Sequence, residues 1–313
     1  MDLSVVIPTY NGAERLPTVL SYLRDQVIPN NLQWEVIIVD NNSQDETAAI
    51  ALQAQSSWRS DVPLRYVFEP QQGLAFARQC GVDQATGTFV GFLDDDNWPD
   101  PGWVAAAVQF GQEHPQVGAY GGKTEAAFEQ PPKIPIKPIS KFLALQNYGS
   151  EPYRLHPERQ ILPAGAGLVV RRSAWLAYIP RTLVRISQGG DDYEISLRLA
   201  KHGWEIYYTP AMQIQHYIPA ARLERDYLLP LTYRYGTCTC QLMMLDVPLW
   251  QQPFLLTKFS LGTLKRMLQH LSAHGLRQSD LGLQCQMSFY QGNFAGICRY
   301  VLSVISTARL KAS

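Results

Sequence analysis

The chain has 313 residues, and its 27 lysine and arginine side chains balance 27 aspartate and glutamate side chains. This neutral total argues against a protein whose main ligand is DNA or RNA, because phosphate binding needs a net basic surface. With 46% apolar residues the chain does not belong to the disordered class, and its length suffices for one large domain or two smaller ones.

The N-terminal part of the chain alternates between strand and helix patterns. Ser43 and Glu46 have the spacing of a capping box, which would open the second helix. Continuous apolar strands joined by helices predict an α/β fold with a parallel sheet that is covered on both faces. The strands are predicted at 3–7, 34–39, 64–68 and 88–93, and the helices at 13–27, from 43 onward and at 73–84.

The later part of the chain is less regular and then purely helical. Gly189 and Gly190 precede a predicted helix at 191–202, and after about residue 217 the strand patterns stop. We therefore expect a domain of residues 1–216 and a helical C-terminal extension of residues 217–313. The remaining predicted elements are strands at 117–122, 168–171 and 204–209, a Pro-rich loop at 130–138, and helices at 227–245, 255–274 and 284–307.

The spacing of the cysteines and the lengths of the apolar runs indicate the cellular compartment of the protein. Five cysteines are scattered along the chain and only Cys238 and Cys240 are close, so a reduced, cytoplasmic environment is the simpler interpretation. The first residues lack the basic region of a signal peptide, and no run reaches about 18 apolar residues. We expect a cytoplasmic protein, either dissolved or peripheral on the inner face of the plasma membrane.

Acidic residues follow two of the predicted strands, where open α/β sheets bind their ligands. Asp40 comes directly after strand 34–39, where it either accepts hydrogen bonds from a nucleotide base or ribose or caps a helix. Asp94, Asp95 and Asp96 follow strand 88–93, where three adjacent carboxylates repel one another. A hard divalent cation held together with diphosphate oxygens relieves this repulsion, and a solvated acidic turn is the alternative.

Two further positions are candidates for chemistry. Asp191 and Asp192 begin the predicted helix 191–202, where acids either stabilise the helix N-terminus or supply a general base. His216 follows the last predicted strand and is either a packed histidine or a metal ligand. The sequence has no GxGxxG, P-loop or HExxH motif, so a nicotinamide cofactor is poorly supported.

Five segments, in this order and spacing, resemble the family 2 glycosyltransferases. The resemblance extends over about residues 3–236 and implies a GT-A fold, in which helices flank a mostly parallel central sheet. From about residue 214 onward the chain is similar to bacterial exopolysaccharide glycosyltransferases, especially of the cyanobacterial type. The five segments are SVVIPTYNGAERL, WEVIIVDNNSQDET, QQGLAFARQCGVDQATGTFVGFLDDDNWPDPGW, PAGAGLVVRRSAW and GGDDYEISLRLAKHGWEIYYTP.

The resemblance also implies roles for individual residues. Asp192 fits the position of the catalytic base, and Asp191 stands where the family usually has glutamate, so both acids are catalytic candidates. Asp94 and Asp96 form the DxD motif that holds Mn²⁺ or Mg²⁺, with His216 as a further ligand. Residues 1–100 would form the donor half of the domain and 101–216 the acceptor half. The candidates for binding the donor are Pro8, Thr9, Tyr10, Asp40, Arg78, Asp94 and Asp95.

The implied function is the inverting transfer of a sugar from a nucleoside-diphosphate sugar to a hydroxyl of a glycan or lipid-linked acceptor, in polysaccharide biosynthesis. Trp98 and Trp103 would pack either against a sugar face or in the core. Two other functions stay open. A nucleotidyltransferase would need an NTP-binding loop rich in glycine and basic residues, and an assembly protein would keep the fold without catalysis and bind through its helical tail.

The neutral total charge conceals two parts of opposite sign. Residues 217–313 contain ten lysines and arginines and four acids, a net charge of +6, so residues 1–216 carry −6. A basic, apolar and helical tail is suited to peripheral contact with an anionic membrane. The alternative is a solvated helical bundle that packs on the catalytic domain. Nucleic acid is not an expected partner.

Overall fold

The structure is a computed structural model that describes residues 1–29, 31–157, 161–183, 190–275 and 280–312. Gly189 of the glycine pair and Arg277 of the basic tail lie outside the described residues. The chain divides into two compact units. Unit 1 comprises residues 1–127 and 144–218, and unit 2 comprises residues 128–143 and 219–313. The predicted functional boundary after residue 216 stays a prediction.

Unit 1 contains a sheet whose first part is wholly parallel, as the apolar runs predict. Three of these strands are mainly apolar and β-branched and are buried on both faces, whereas the edge strand is only partly buried. The α/β class is confirmed. Thr9 pairs with Asp40 in the register of the first two strands, which brings their ends to the same edge. The order is β3-β2-β1-β4, with β1 at Leu3–Thr9, β2 at Trp34–Asp40, β3 at Leu64–Phe68 and β4 at Phe89–Phe92.

Helices α1 (Leu16–Arg24), α2 (Thr47–Ser56) and α3 (Leu74–Gln84) connect these strands. The predicted capping box is wrong. The Asp45 carboxylate accepts the N–H of Thr47 at 3.1 Å and so satisfies the start of α2. The hydroxyl of Ser43 instead accepts the backbone N–H of Asn11 at 3.0 Å, across to the neighbouring loop.

The second part of the sheet is antiparallel, so the sheet is mixed. Strand β8 runs antiparallel to both β4 and β6, and β9 runs antiparallel to β5 and β7. β9 continues well beyond the predicted end at residue 209, which extends the sheet as far as His216. The strands are β5 (Asn97–Pro99), β6 (Val117–Phe128), β7 (Tyr153–Arg154), β8 (Val169–Arg171) and β9 (Glu205–Ile218), and the helices between them are α4 (Trp103–Glu113), α5 (Arg172–Tyr178) and α6 (Asp191–Lys201).

Apolar layers cover both faces of the sheet. Along β1, Val5 and Ile7 belong to one cluster of buried residues and Val6 to the other, as expected from the alternation of side chains in a strand. Each such side chain contributes about 1.5–3 kcal/mol when fully buried. Trp103 lies fully buried in the first cluster, so it belongs to the core and not to a sugar-binding face.

Unit 2 contains three long helices, as predicted for the tail. They are α7 (Arg225–Met243), α8 (Gln252–His274) and α9 (Leu281–Ala312). Helices α7 and α9 approach closely at Gly236 and Gly292, where a Cβ on either glycine would lie 2.2 Å from a carbonyl oxygen of the other helix. None of the helices in the described parts of the chain is long and apolar enough to cross a membrane.

Candidate active site

The three aspartates after β4 lie in a tight turn that Asn97 closes. The side-chain carbonyl of Asn97 accepts the N–H of Asp94 at 3.1 Å, and its amide donates to the Asp96 carboxylate at 3.0 Å. The side chain of Asp94 is 32% exposed, whereas those of Asp95 and Asp96 are 10% and 8% exposed. All three carboxylates are thus mostly covered, and that of Asp94 is the most accessible.

Asp95 ties the turn to the loop after β1. Its carboxylate accepts the Thr9 hydroxyl at 2.6 Å and forms a two-pronged ion pair with Arg15, at 2.8 and 3.0 Å. The hydrogen bond to Asp95 raises the pKa of Arg15. Gly12 is required nearby, because a Cβ there would lie 2.4 Å from an Asp95 oxygen. Two of the predicted donor-binding residues, Thr9 and Asp95, thus bind each other.

Asp96 lies beside His216. The β5–β9 register pairs Asn97 with His216, and the N–H of Tyr217 donates to the Asp96 carbonyl at 2.8 Å. These contacts place the His216 Nε2 atom 3.6 Å from the Asp96 carboxylate. Two of the three predicted metal ligands are therefore neighbours, although they are 120 positions apart in the chain.

The residues of this turn fit a divalent cation that also binds phosphate. Burial raises the pKa of Asp94; the Arg78 guanidinium opposes this effect, and the carboxylates of Asp96 and Asp95 add to it. A cation would relieve that repulsion, and oxygen and imidazole are suitable ligands for Mn²⁺. Within the described residues no three acid, histidine or cysteine side chains form a metal site by themselves. Diphosphate oxygens would supply the remaining ligands.

Arg78 lies in α3 and joins two of the acidic groups. Its guanidinium contacts the Asp191 carboxylate at 2.7 Å and the Asp94 carboxylate at 3.5 Å, and it lies 5.5 Å from the centre of the Phe92 ring. Burial would lower the pKa of Arg78, but the negative charges of Asp191, Asp94 and Asp192 outweigh it and keep the guanidinium charged. The side chain is only 2% exposed, and both of its described ion pairs are with protein carboxylates.

Asp192 occupies the first turn of α6, next to Asp191. Its carboxylate accepts the backbone N–H of Gly165 at 2.7 Å, which fixes it against the segment before β8. Burial, followed by the charge of Asp191, raises the pKa of Asp192 to about 6, while Arg78 opposes the shift. A carboxylate with this pKa is a base at neutral pH and a better proton acceptor than an ordinary aspartate.

Asp40 ends β2 within a network of its own. The carboxylate accepts the Ser43 N–H and the Tyr66 hydroxyl, each at 2.9 Å, so it also closes the turn after the strand. Burial and the bond to Asp40 raise the pKa of Tyr66 to about 12. Each carboxylate oxygen has a second lone pair, with which it can accept a hydrogen bond from a ligand. Of the two remaining donor-binding candidates, Pro8 is buried and Tyr10 is 46% exposed.

Asn41, Arg15 and Gly165 contribute to the site, although the sequence analysis assigned them no individual role. Asn41 bonds to Gln71 and Gly73 and so shapes the loop before α3. Arg15 and Gly165 were named only inside longer segments, and a single Arg or Gly offers no signal that it contacts a distant carboxylate.

Trp98 stacks between Tyr22 and Tyr217, with ring centres 5.6 and 5.3 Å away.

Comparison with solved structures identifies the fold. A mannosyltransferase from Pyrobaculum calidifontis, in complex with GDP-Man and Mn²⁺, has a TM-score of 0.61 and 20% identity over 94% of this chain and 86% of that one. S. aureus TarS 1-349 with UDP-GlcNAc has a TM-score of 0.54 and 14% identity over 94% and 92%. These similarities confirm the predicted GT-A fold.

Curated sequence relatives match over about one third of the chain. The glycosyltransferase AglE of Haloferax volcanii is 37% identical over 106 residues, 34% of each chain. The amylovoran biosynthesis glycosyltransferase AmsB of Erwinia amylovora is 40% identical over 100 residues, 31% of this chain and 32% of the relative. The matched region thus spans about one third of the length of these relatives.

Family models match most of the chain. The model for glycosyl transferase family 2 matches residues 4–166, and the model for glycosyl transferase family group 2 matches residues 89–304. Each match covers more than half of the 313 residues, and together they include every predicted site residue. The chain therefore belongs to glycosyl transferase family 2.

Proposed function

We propose that the protein transfers a sugar, with inversion, from a nucleoside-diphosphate sugar to a hydroxyl of a glycan or lipid-linked acceptor in polysaccharide biosynthesis. The observation that carries the proposal is the position of Arg78 between Asp94 and Asp191. It brings the acidic turn after β4 close to the first turn of α6, where Asp192 lies. A donor site and a general base next to each other are what such a transfer requires.

On the donor side, Asp40 and the loop at Pro8, Thr9 and Tyr10 would bind the nucleoside. Asp94, Asp96 and His216 would hold the divalent cation, together with diphosphate oxygens of the donor. When bound, the cation would supply Lewis-acid stabilisation of the leaving diphosphate. Support comes from two proteins of similar structure that were solved in complex with Mn²⁺, the Pyrobaculum mannosyltransferase and GalNAc-T7.

Arg78 and Asp95 would act indirectly on the donor side. Arg78 is buried against Asp191 and Asp94, so it would hold the Asp94 carboxylate in place beneath the diphosphate. Asp95 would fix the loop after β1 through Thr9 and Arg15. These roles differ from the expectation that Arg78 and Asp95 bind the donor directly.

On the acceptor side, Asp192 would take the proton of the acceptor hydroxyl. The oxygen then forms the new bond to the anomeric carbon as the bond from that carbon to the diphosphate oxygen breaks. The nucleoside diphosphate leaves with the electron pair, and the configuration inverts because the two oxygens lie on opposite sides of the carbon. The pKa of about 6 at Asp192 supports this role.

A lipid-linked acceptor would place the reaction close to a membrane. A relative from Campylobacter jejuni, 31% identical over 113 residues, is named a GalNAc(5)-diNAcBac-PP-undecaprenol beta-1,3-glucosyltransferase. The match covers 36% of this chain and 35% of that relative. In our proposal the protein works in the cytoplasm, and its acceptor is presented at the inner face of the plasma membrane.

A donor screen tests the proposal. The chain is incubated with Mn²⁺ and a panel of UDP-, GDP- and dTDP-sugars, and released nucleoside diphosphate is measured with and without acceptor extracts. We expect release from one donor class that is lost in Asp192→Asn. Release of pyrophosphate from an NTP would identify a nucleotidyltransferase. Failure to bind any nucleoside diphosphate in calorimetry, with no cellular effect of Asp96→Ala, would favour an assembly protein.

A further inference from the structure

Large apolar side chains line one face of α8 and the turn before it. Five of them are well exposed: Trp250 at 79%, Phe254 at 72%, Leu261 at 62%, Leu264 at 44% and Leu268 at 57%. Soluble monomers rarely expose a contiguous row of this size, and such rows mark interaction surfaces. We call these five residues the exposed face of α8.

The spacing of the row shows that it is one face of the helix. Its members lie at intervals of three, four or seven residues, so their side chains project in one direction. Phe259, Thr263 and His270 are buried and lie on the opposite side of the helix. Helix α8 therefore has two usable faces, one inside unit 2 and one available to a partner.

The charges around the exposed face have one sign. Helix α8 contains no aspartate or glutamate, and between residues 247 and 313 the sequence has a single acid, Asp280. Lys258 and Lys265 are exposed and border the apolar row on one side. Their long stems can lie along apolar surface while the ammonium groups reach anionic groups outside it.

We propose that the exposed face of α8 lies on the surface of an anionic lipid bilayer. The helix has the parts of an interfacial helix: leucines along the apolar row, Trp250 and Phe254 at one end, and a lysine border. The described helices are not able to cross a membrane, which agrees with a helix lying in the interface plane. The proposal does not depend on the transfer activity.

A second copy of the chain is the less suitable occupant. Helices that pair through an apolar row usually carry both acids and bases along its edges, so that opposite charges meet. Here the edge contributes only Lys258 and Lys265, and a symmetric pair would bring like charges together. The phosphate groups of an anionic bilayer match these charges.

Vesicle flotation of the full chain tests the proposal, and it needs neither donor nor acceptor. We expect the chain to float with vesicles containing phosphatidylglycerol and much less with pure phosphatidylcholine vesicles. The double variant Phe254→Gln/Leu261→Gln should lower the partition coefficient about tenfold or more. Lys258→Gln/Lys265→Gln should lower it about 25-fold at low salt, at about fivefold per lysine, with a smaller effect at high salt.

The matched control is Leu52→Gln/Leu176→Gln. These leucines are 50% and 51% exposed on helices of unit 1, and their replacement should leave flotation unchanged. Circular dichroism and the melting temperature verify that every variant is folded. Equal flotation of wild type and Phe254→Gln/Leu261→Gln, or equal binding to both vesicle types, overturns the proposal. So does a dimer in sedimentation velocity that this double variant dissociates, since a second copy would then cover the face.

Discussion

Arg78 and Asp191 form an ion pair with both side chains almost fully buried, at 2% and 4% exposure and a separation of 2.7 Å. The pair connects α3 to the first turn of α6, which carries Asp192. Because Arg78 also reaches Asp94, one guanidinium balances carboxylates from both sides of the candidate site. These ion pairs therefore join the two sides of the candidate site electrostatically.

We predict that removing one partner of this pair is costly. Arg78→Met leaves Asp191 as an uncompensated buried charge, which should lower the free energy of unfolding by about 3–5 kcal/mol. Urea denaturation at pH 7 measures the change. The double variant Arg78→Met/Asp191→Asn should recover part of the loss, because it removes both charges. Additive losses in the double variant would show that the two side chains are not coupled.

The second prediction separates the two acids of α6. Asp192→Asn should keep donor binding but lower turnover by about 100- to 10,000-fold, because the acceptor hydroxyl loses its base. Asp191→Asn should retain turnover and mainly lower stability, since its carboxylate is engaged by Arg78. Calorimetry with the donor nucleotide and a turnover assay measure both effects. An active Asp192→Asn together with an inactive Asp191→Asn would reverse the assignment.

The third prediction concerns pH. With a pKa of about 6, Asp192 loses its basic form as the pH falls through 6, so kcat/KM should decline about tenfold per pH unit below that value. The charge of Asp191 contributes to the raised pKa, so Asp191→Asn should shift this acid limb to lower pH. Initial rates of both enzymes between about pH 4 and 8, on either side of that pKa, measure the position of the acid limb. An acid limb that does not move would contradict the assignment.

The fourth prediction is that Asp96, and not the adjacent Asp95, supports metal binding. Asp96→Asn and His216→Gln should each weaken Mn²⁺-dependent binding of a nucleoside diphosphate by at least about tenfold. Losses of that size are seen even when only a residue that hydrogen-bonds to a metal ligand is replaced. Calorimetry with and without Mn²⁺ measures it. Asp95→Asn is the matched control, because that carboxylate is used by Thr9 and Arg15. It should lower stability and leave the Mn²⁺ dependence in place.

The features that follow from local sequence were predictable. Continuous apolar runs predict β1, β2 and β4, because a segment such as Val5–Ile7 is buried on both faces when helices cover both sides of a parallel sheet. The placement of Asp40 and Asp94 at strand ends follows from the same pattern. The three tail helices were predicted for a similar reason, since helical periodicity is a local property.

The features that depend on distant pairing were not predictable. The short strand β5 exists because it pairs with the late part of β9, and nothing near Asn97 indicates this. Arg15 binds Asp95 across 80 positions, so no spacing rule could identify it. The capping box failed for the same reason, because Ser43 is used by Asn11 in the neighbouring loop.

Gly165 has an evolutionary consequence. Its N–H holds Asp192, which any residue except proline could do, but a Cβ on it would lie 2.5 Å from a nitrogen of Arg78. The space beside the buried Arg78 guanidinium is therefore the constraint that selects glycine. We therefore expect glycine to persist here in diverging lineages while nearby alanines vary, and we expect selection for new acceptors to alter other positions.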